Sequence, residues 1–363
     1  MRIALVHDYL CGLGGAERVF QYICEAFPEA DAYTLAYNPD AALPYFSKRG
    51  IRTTWMNRFV QSMGAFRLSF PVSTHVMESL DLSGYDIVLS SSATVAKYVR
   101  VPNGKHVCYC YIPTRAIWHF DEYFGGGVKG RLFRLILPGL KKRDYEAAQR
   151  VDRFVAISEA TRDYIRQYYD RESEVVYSPI DLDKFSPSSD KRNDHYLIVS
   201  RLEHWKRVDY AVEAFNRLGL PLRIIGTGEE EERLKAMAGP NISFLGVVDD
   251  ETLAREYADA KAVVFTPFLE YGLIPLEANA SGAPVICYGK GGITETMIPL
   301  GGGESPTAVF FLEQTAEALI DAVRRFEEAK FDRDELVRHA SKWGVPEFKR
   351  RIREMVESMG KAR

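Results

Sequence analysis

The segment from 262 to 287 restricts the fold more than any other part of this chain. Apolar runs at 262–265 and 284–287 predict two buried strands, and the residues between them predict a loop followed by a helix. Strand, helix and strand in this order are typical of a parallel α/β sheet. A helix that follows such a strand presents free backbone N–H groups and a partial positive charge at its first turn. The segment therefore predicts a seat for a phosphate group.

Glu277 is predicted to lie in the first turn of that helix, close to Gly272, Leu273 and Ile274. A carboxylate would repel a phosphate there, but it can accept hydrogen bonds from the hydroxyl groups of a ribose. Phosphate on the helix end and ribose on a glutamate together describe a nucleotide site. The alternative is a glutamate that only complements the helix dipole.

A second strand–loop–helix segment, 195–215, carries two cations. Its strand is predicted at 196–199, its helix has an apolar face, and Arg201 and Lys206 lie in the loop between them. Open α/β sheets bind ligands at the carboxyl ends of their strands, and two cations there can neutralise a diphosphate. Surface lysines and arginines are usually only solvated. Because both segments occur in one array of strands and helices, the pair favours a nucleotide site.

The whole chain alternates predicted strands and helices in two halves. Residues 1–177 form the expected first domain, 178–194 a polar linker, 195–345 a second domain, and 346–363 a C-terminal helix that crosses back to the first domain. The predicted fold is α/β, with two Rossmann-like doubly wound domains that face each other across a cleft. Strands are predicted at 3–6, 87–90, 107–110, 154–157 and 175–177, and at 196–199, 222–226, 242–245, 262–265, 284–287 and 308–312.

Composition agrees with a globular protein and excludes several other classes. The 363 residues are 46% hydrophobic and 27% charged with a formal net charge of −3, so no global basic field favours nucleic acid. The chain opens on a predicted strand and has no apolar run of the roughly 18–20 residues that a membrane helix needs. Its five cysteines lack paired spacing. These features predict a reduced, cytoplasmic protein.

The order of the motifs resembles the retaining nucleotide-sugar glycosyltransferases of group 1 (family 4), which have the GT-B fold. SRLEHWK (200–206), GTGEE (226–230), FLGVV (244–248) and LEYGLIPLEANASGAPVI (269–286) resemble the family's motifs in the second half, and HDYLCGLGGAERV (7–19) resembles its Gly-Gly loop. The resemblance covers nearly all of the chain and is greatest to the mannosyl- and polysaccharide-building branch.

Transfer of a sugar from a nucleoside diphosphate leaves negative charge on the diphosphate, so the main catalytic task is to stabilise that charge. Arg201 and Lys206 are the residues predicted to do this. The resemblance implies UDP-glucose or GDP-mannose as the donor and a glycan or lipid-linked saccharide as the acceptor. It also implies that no metal ion or other cofactor takes part.

Four further positions are assigned to the donor site. Gly14 and Gly15 follow the first strand, where a bulky side chain would block the approach of donor and acceptor. A Gly-Gly pair is also common in ordinary turns. Gly226 lies in the turn after the strand at 222–226, and Val247 is expected to meet the nucleotide base through its backbone.

Two departures from the family's pattern concern the reacting sugar. The family has Glu-x7-Glu, which would place a first glutamate at Leu269, whereas this chain offers Glu270 and a spacing of Glu-x6-Glu. Either Glu270 takes the catalytic role through a loop shortened by one residue, or that role is vacant. Close relatives often have a histidine where this chain has Tyr111. Tyr111 could donate a hydrogen bond to the donor sugar, or it could pack as a structural aromatic.

Two other classes compete with a glycosyltransferase. The first is a non-catalytic relative that binds a nucleotide or a partner enzyme, which only the altered glutamate and Tyr111 support. The second is a nicotinamide-dependent dehydrogenase. GLGGAE and GTGEEE lack the glycine spacing of a dinucleotide fingerprint, so the second class fits poorly.

A basic and apolar run, KGRLFRLILPGLKKR at 129–143, contains no acidic residue. This mixture is typical of a surface that lies on anionic lipid, although a helix packing its apolar face on the first domain would have the same composition. Pro138 and Gly139 predict a break in any long helix. The run therefore suggests peripheral membrane contact at the cytoplasmic face, beside a lipid-linked acceptor.

Overall fold

The computed structural model describes residues 1–120, 128–187, 193–303 and 305–361, and the side chains at 63, 128–133 and 361 also lie outside this description. The chain divides into two compact units. Unit 1 comprises Met1–Ser178 together with Pro346–Arg363, and unit 2 comprises Pro179–Val345. Within the predicted linker, residues 188–192 lie outside the described part of the chain.

Unit 1 is built on a parallel sheet. Its strands are β1 (Ile3–His7), β2 (Asp31–Thr34), β3 (Ile51–Thr53), β4 (Ile87–Ser92), β5 (Lys105–Cys110), β6 (Arg153–Ala156) and β7 (Ser173–Val175). Their order across the sheet is β3-β2-β1-β4-β5-β6-β7. The crossover helices are α1 (Gly15–Ala26), α2 (Met63–Glu78), α3 (Arg115–Trp118), α4 (Val128–Gln149) and α5 (Glu159–Tyr169), with 3-10 helices at Pro44–Lys48, Trp55–Arg58 and Ala96–Tyr98.

Unit 2 repeats this construction. Its strands are β8 (Tyr196–Val199), β9 (Leu222–Ile225), β10 (Ile242–Gly246), β11 (Ala262–Phe265), β12 (Val285–Tyr288) and β13 (Ala308–Phe311), in the order β10-β9-β8-β11-β12-β13. The helices are α6 (Asp209–Leu218), α7 (Glu231–Met237), α8 (Asp250–Asp259), α9 (Leu273–Ala280), α10 (Ile293–Thr296), α11 (Ala316–Glu328) and α12 (Arg333–Ala340), with 3-10 helices at His204–Lys206 and Ser341–Trp343.

A last helix, α13 (Val345–Lys361), packs on unit 1. The Phe348 ring lies edge-on to Tyr109 of β5, with ring centroids 5.7 Å apart. Arg353 Nε donates to the carbonyl of Ala26 at the end of α1 over 2.8 Å, and Lys349 pairs with Glu25. Apolar and charged contacts together therefore fix this helix.

Both sheets reverse their strand order at one point, which is the topological switch point of a doubly wound fold. In unit 1 this point lies between β1 and β4, and in unit 2 between β8 and β11. The predicted α/β class with two Rossmann-like doubly wound sheets is confirmed. Each predicted strand is present, with ends shifted by at most two residues.

The sequence pattern missed β2 and β3. β2 has four residues and begins with Asp31, and β3 has three residues, of which Arg52 and Thr53 are exposed. β3 lies at the sheet edge and pairs with β2 alone, so it needs no apolar alternation. β2 is an inner, mostly buried strand, but with four residues it is too short to carry a clear periodic signal.

The predicted helix break at Pro138 and Gly139 is wrong, because α4 continues through both residues. An interior proline removes one hydrogen bond and crowds the preceding turn. The second half of α4 is nevertheless fixed by its buried side chains, including Asp144, Ala147 and Ala148. Tertiary packing here outweighs the local cost of the proline. Within the described residues, no helix combines the length and apolar character needed to cross a membrane.

Candidate functional site

The switch point of unit 2 brings together the two predicted donor segments. β8 and β11 are paired neighbours, with Tyr196 opposite Ala262 and Leu197 opposite Val263. Both strands are parallel, so their carboxyl ends meet at one edge of the sheet. The loop with Arg201 therefore lies beside the loop that leads into α9. Sequence reasoning expected both loops at this edge but did not establish that they are neighbours.

Thr266 joins the two loops directly. Its hydroxyl, just after β11, donates to the Lys206 carbonyl over 2.7 Å. The Thr266 carbonyl in turn accepts from the Tyr210 hydroxyl at 2.7 Å and from the Gln314 amide at 3.0 Å. Thr266 thus links the Lys206 backbone to Tyr210 of α6 and to Gln314 before α11. No sequence motif singles out Thr266, because its partners lie far away along the chain.

Arg201 is exposed to solvent, and Lys206 is partly buried. The Arg201 guanidinium is 3.3 Å from the Glu203 carboxylate, and its side chain is half exposed. The Lys206 ammonium lies 4.0 Å from the centre of the Trp205 ring, a favourable cation–π distance. These contacts hold both cations at the sheet edge.

Gly226 allows two loops to approach closely beside Arg201. Its φ is +125°, and a Cβ there would lie 1.9 Å from the Ser200 carbonyl oxygen. A side chain at Gly228 would meet the Leu202 carbonyl oxygen at 2.4 Å. The Leu202 N–H also donates to the carbonyl of Thr227 over 2.9 Å. The predicted position of Gly226 thus has a structural basis, since only glycine permits this contact.

Val247 follows β10 and is almost three-quarters exposed. The preceding Gly246 has a φ of +66° and accepts a hydrogen bond from the Gly226 N–H over 2.8 Å. The turn therefore places the backbone of Val247 beside the Gly226 loop, at the same sheet edge as Arg201.

The start of α9 offers backbone N–H groups as expected. Gly272 precedes the helix in an extended conformation, and Leu273 and Ile274 are its first residues. A Cβ on Gly272 would meet the Phe265 ring at 3.1 Å, so the residue also fits a tight packing position. The first N–H groups of a helix have no acceptor within the helix, which leaves this end suited to an anion.

The predicted first-turn position of Glu277 is wrong, because α9 begins at Leu273 and Glu277 lies in its second turn. A carboxylate there is beyond the positions where it best complements the helix dipole. Glu277 is buried, and one of its oxygens accepts from the Tyr257 hydroxyl of α8 over 3.0 Å. This hydrogen bond fixes the carboxylate, which is the arrangement a ribose contact requires.

Glu270 is buried in the loop between β11 and α9, next to the half-buried Leu269. Its backbone is held by the loop after β12, where Gly292 N–H donates to the Leu269 carbonyl over 2.9 Å. A Cβ on Gly292 would lie 1.9 Å from the Glu270 carbonyl oxygen, and one on Gly291 would lie 2.5 Å from that of Leu269. This glycine pair was missed. The available signal is a glycine-rich loop, Gly289 to Gly292, directly after a buried strand.

In unit 1, Gly14 and Gly15 begin α1 at the carboxyl edge of the sheet. Gly14 is extended, and a Cβ there would lie 2.5 Å from a carboxylate oxygen of Glu17. Glu17 is buried in the first turn of α1. The absence of a side chain at Gly14 therefore leaves room for an acid at this edge, in addition to the approach predicted from sequence.

The Tyr111 hydroxyl forms hydrogen bonds to other residues of unit 1. The hydroxyl donates to the Ala16 carbonyl of α1 over 3.0 Å and lies 2.9 Å from the Ser91 hydroxyl. His7 Nδ1 is 3.0 Å from the same serine. The Ala16 carbonyl can only accept, so the Tyr111 hydroxyl donates to it. The Ser91 hydroxyl then donates to Tyr111, and His7 Nδ1–H donates to Ser91. Burial holds the pKa of Tyr111 well above its usual value and lowers that of His7 to about 4.

The Asp8 carboxylate occupies the backbone N–H groups at the switch point of unit 1. This buried carboxylate accepts from the backbone N–H groups of Ala93, Thr94, Val95 and Ala96 at 2.6 to 2.9 Å. These are the kind of donors that a phosphate would use at the corresponding place in a nucleotide-binding sheet. Because a protein carboxylate already occupies them, the phosphate site is expected in unit 2.

Asp144 of α4 is a second buried carboxylate that the sequence did not indicate. It lies 2.7 Å from the Lys97 ammonium and accepts from the Tyr98 and Tyr169 hydroxyls and the Trp118 indole at 2.6 to 2.7 Å. Burial alone would raise the pKa of Asp144, but Lys97 and the hydrogen bonds hold it below its usual value. This network fixes the segment after β5.

Across the described parts of the chain, no three His, Cys, Asp or Glu side chains come together as a potential metal site. Positive groups at the sheet edge of unit 2 include Arg201, Lys206 and the start of α9.

Comparison with known proteins agrees with this construction. The family model described as glycosyl transferases group 1 matches residues 179–343, and that described as glycosyltransferase family 4 matches residues 13–184. The two matches together span both units. The chain therefore belongs to the group 1 glycosyltransferases of family 4.

Characterised and uncharacterised relatives match over shorter stretches. An uncharacterised glycosyltransferase of Methanocaldococcus jannaschii is 31% identical over 109 residues, which cover 27% of this chain and 28% of that protein. The mannosylfructose-phosphate synthase of Agrobacterium fabrum is 28% identical over 171 residues, or 46% of this chain and 35% of that enzyme. The chain thus matches about a third of the length of these two relatives.

Solved structures show the same fold over the whole chain. Sucrose-phosphate synthase from Thermosynechococcus elongatus superposes with a TM-score of 0.78 at 16% identity, covering 100% of both chains. The Anabaena protein HepE in complex with UDP gives a TM-score of 0.71 at 14% identity, covering 99% of this chain and 100% of that one. At these identities the likeness defines the fold, and both structural neighbours support the GT-B assignment.

Proposed function

We propose that this protein is a retaining glycosyltransferase that moves a hexose from a nucleotide sugar to a glycan acceptor in cell-surface or exopolysaccharide biosynthesis. The observation that carries the proposal is the meeting of Arg201, Lys206 and the start of α9 at the switch point of unit 2, tied by Thr266. UDP-glucose and GDP-mannose are the proposed donors. HepE has been solved with UDP-glucose, and mannosylfructose-phosphate synthase is among the relatives, which supports this pair.

In the proposed reaction, the bond between the anomeric carbon and the diphosphate oxygen breaks while the acceptor oxygen bonds to the same face of the sugar. The proton of the acceptor hydroxyl passes to the departing diphosphate. Arg201, Lys206 and the N–H groups of Gly272, Leu273 and Ile274 stabilise the growing negative charge. Since these groups supply the positive charge, we propose that the reaction needs no metal ion or other cofactor.

The remaining residues position the donor. Glu277 receives the ribose hydroxyls, while the Gly226 loop and the Val247 backbone border the base. Glu270 takes the role of the family's first glutamate and faces the sugar. Its burial and the glycine pair behind its backbone support a fixed orientation.

Unit 1 is the proposed acceptor side. Gly14 and Gly15 leave space at the carboxyl edge of its sheet. We assign Tyr111 a positioning role, because its hydroxyl already bonds to Ala16 and Ser91. The acceptor is a glycan or a lipid-linked saccharide, and the enzyme acts at the cytoplasmic face of a membrane with peripheral contact around 129–143.

Hydrolysis of a panel of nucleotide sugars tests the proposal and identifies the donor. Wild-type protein is expected to hydrolyse UDP-glucose or GDP-mannose slowly, with retention of the anomeric configuration. Arg201→Ala and Lys206→Ala should each reduce turnover about 100-fold or more, as for the loss of one oxyanion donor. Wild-type rates in both variants would refute the assignment. Nucleotide binding without any turnover would favour the non-catalytic alternative.

A further inference from the structure

Unit 1 exposes large apolar side chains on three surface elements. Leu68 and Val72 are exposed on α2, Leu135 and Ile136 on α4, and Trp55 and Phe59 on the 3-10 helix after β3 and the residue that follows it. These six residues form the apolar face of unit 1. The exposed fractions are 89% for Leu68 and 77% for Leu135, compared with 68% and 61% for Phe59 and Trp55.

The topology places these residues on one side of unit 1. The 3-10 helix Trp55–Arg58 follows the carboxyl end of β3, and α2 and α4 lead back to the starts of β4 and β6. Both helices therefore run from the carboxyl edge of the sheet towards its amino edge. Arg143 of α4 donates to Glu78 of α2 over 2.8 Å, so the two helices are neighbours. Leu68, Leu135 and Ile136 lie in the halves of these helices nearer the carboxyl edge, and Val72 lies just past the middle of α2.

Each helix is apolar on two sides, which a surface helix of an isolated protein does not require. On α2, Phe66, Phe70 and Met77 are buried in the core of unit 1 while Leu68 and Val72 point outwards. On α4, Leu140 is buried in the same core while Leu135 is exposed. The inner sides explain the folding of these helices. The outer sides remain to be covered by something else.

The charge around the apolar face indicates what kind of surface covers it. The segments 54–77 and 128–143 contain no aspartate or glutamate, although the whole chain has 50 acidic residues against 47 lysines and arginines. Exposed cations lie among the apolar residues instead: Arg58, Arg67, Arg134 and Lys142, the last of which lies 4.0 Å from the exposed Glu146 one turn further along α4. A surface that combines protruding apolar groups with an excess of cations over acids complements a bilayer with anionic headgroups. Long cationic side chains can reach such headgroups while their stems lie on the apolar layer.

We infer that the apolar face and its four cations bind the surface of an anionic phospholipid bilayer. This deepens the proposed function, on which it rests for the lipid-linked acceptor, and it relocates the membrane contact expected at 129–143. The side chains from 129 to 133 lie outside the described residues. Leu140 is buried, Arg143 is bonded to Glu78, and Lys141 lies 5.3 Å from the Trp118 ring. The bilayer therefore meets α2 and the Trp55 segment as well as α4.

Vesicle sedimentation with the full chain tests the inference. Vesicles of phosphatidylcholine with about 30% phosphatidylglycerol should bind the protein at low salt and release most of it at about 0.5 M salt. The double variant Leu68→Gln/Leu135→Gln should reduce partitioning about 10-fold or more, because it removes apolar area from the contact. The matched control, Leu300→Gln/Leu312→Gln in unit 2, should bind like wild type.

Two double variants, each of which removes two positive charges, distinguish binding by the apolar face from general electrostatic attraction of the protein to the vesicles. Arg134→Gln/Lys142→Gln should lower partitioning roughly 5-fold for each cation removed. Arg255→Gln/Arg324→Gln changes the net charge equally on exposed positions of unit 2 and should have no such effect. Equal losses in both double variants, or no sedimentation at low salt, would overturn the inference.

Trp55 provides a direct reporter. Its emission should shift to the blue when anionic vesicles are added, and lipids brominated in the acyl chain should quench it. The Trp55→Phe variant should lose both responses while the other tryptophans remain. A dimer in sedimentation equilibrium that the Leu68/Leu135 variant dissociates, without vesicle binding, would instead show that a second copy covers the face. Donor hydrolysis needs no vesicles, so failure of the membrane contact and failure of the proposed function are distinguishable.

Discussion

Glu270 stands one position after Leu269, where the family's motif would place a glutamate. If Glu270 fills that role, Glu270→Ala should lower donor turnover about 100-fold, whereas Leu269→Ala should change it only slightly. Turnover of the donor identified in the panel measures both. Because Glu270 is buried, Glu270→Gln and the melting temperatures of all variants separate lost chemistry from lost folding. Equal, mild effects of both alanine variants would mean that the role is vacant.

His7 and His106 predict a loss of stability in acid. Burial lowers the pKa of each imidazole to about 4, compared with about 6.5 in the unfolded chain. Between these values the unfolded chain binds protons that the folded chain does not, so the free energy of unfolding falls as the pH falls. From about pH 7 to pH 5 the loss should be about 2 kcal/mol for each histidine.

Urea unfolding of unit 1 measures this slope. His106→Gln removes one of the two buried groups and should flatten the pH dependence by about half of the histidine contribution. His204→Gln changes an exposed histidine in unit 2 and serves as the control. A wild-type slope in the His106 variant would contradict the argument.

Tyr111 shows where reasoning from the sequence stops at the residue scale. Its place after a strand was predictable from the apolar run before it. Its hydrogen-bond partners Ser91 and Ala16 are 20 and 95 positions away in the chain, so no local pattern indicates them. Arg201 and Lys206 were predictable because both lie in one short loop after a strand, five positions apart in the chain.

At the scale of elements, the loop before α9 depends on Gly292. A side chain there would overlap the Glu270 carbonyl, so Gly292→Ala should move the loop and destabilise unit 2 by about 1–3 kcal/mol. Nucleotide affinity should fall with it. Gly303→Ala is the matched control, since a Cβ there makes only an ordinary contact at 3.6 Å. Thermal unfolding and nucleotide titration of both variants check the prediction, and unchanged binding in Gly292→Ala would oppose it.

The elements themselves followed from the sequence wherever apolar periodicity was strong. The strand and helix that flank Glu270 were predicted because both are buried and run in a regular order. The start of α9 was misplaced relative to Glu277, since a loop that contains glycine and proline sets the boundary and periodicity does not. The continuation of α4 through Pro138 could not be predicted either, because packing by distant residues holds it.

At the scale of the whole molecule, the two units share a doubly wound topology but carry different groups at the switch point. At the switch point of unit 1, the Asp8 carboxylate occupies four backbone N–H groups. At that of unit 2, Arg201 and Lys206 stand beside the start of α9. The sequence showed two similar halves and placed the cations in the second. It did not show that Asp8 occupies the backbone N–H groups that could bind an anion in the first half, because Asp8 and these donors are more than 80 residues apart in the chain.

Isothermal titration calorimetry with UDP, UMP, GDP and GMP measures whether a nucleoside diphosphate binds at the switch point of unit 2, because it compares each diphosphate with the matching monophosphate. Wild-type protein is expected to bind the diphosphate of at least one base about 10-fold more tightly, since the additional phosphate meets two cations. Lys206→Ala should lose this preference, and Arg217→Ala, an exposed cation elsewhere in unit 2, should retain it. Full preference for the diphosphate in the Lys206 variant would contradict the placement of the nucleotide at this switch point.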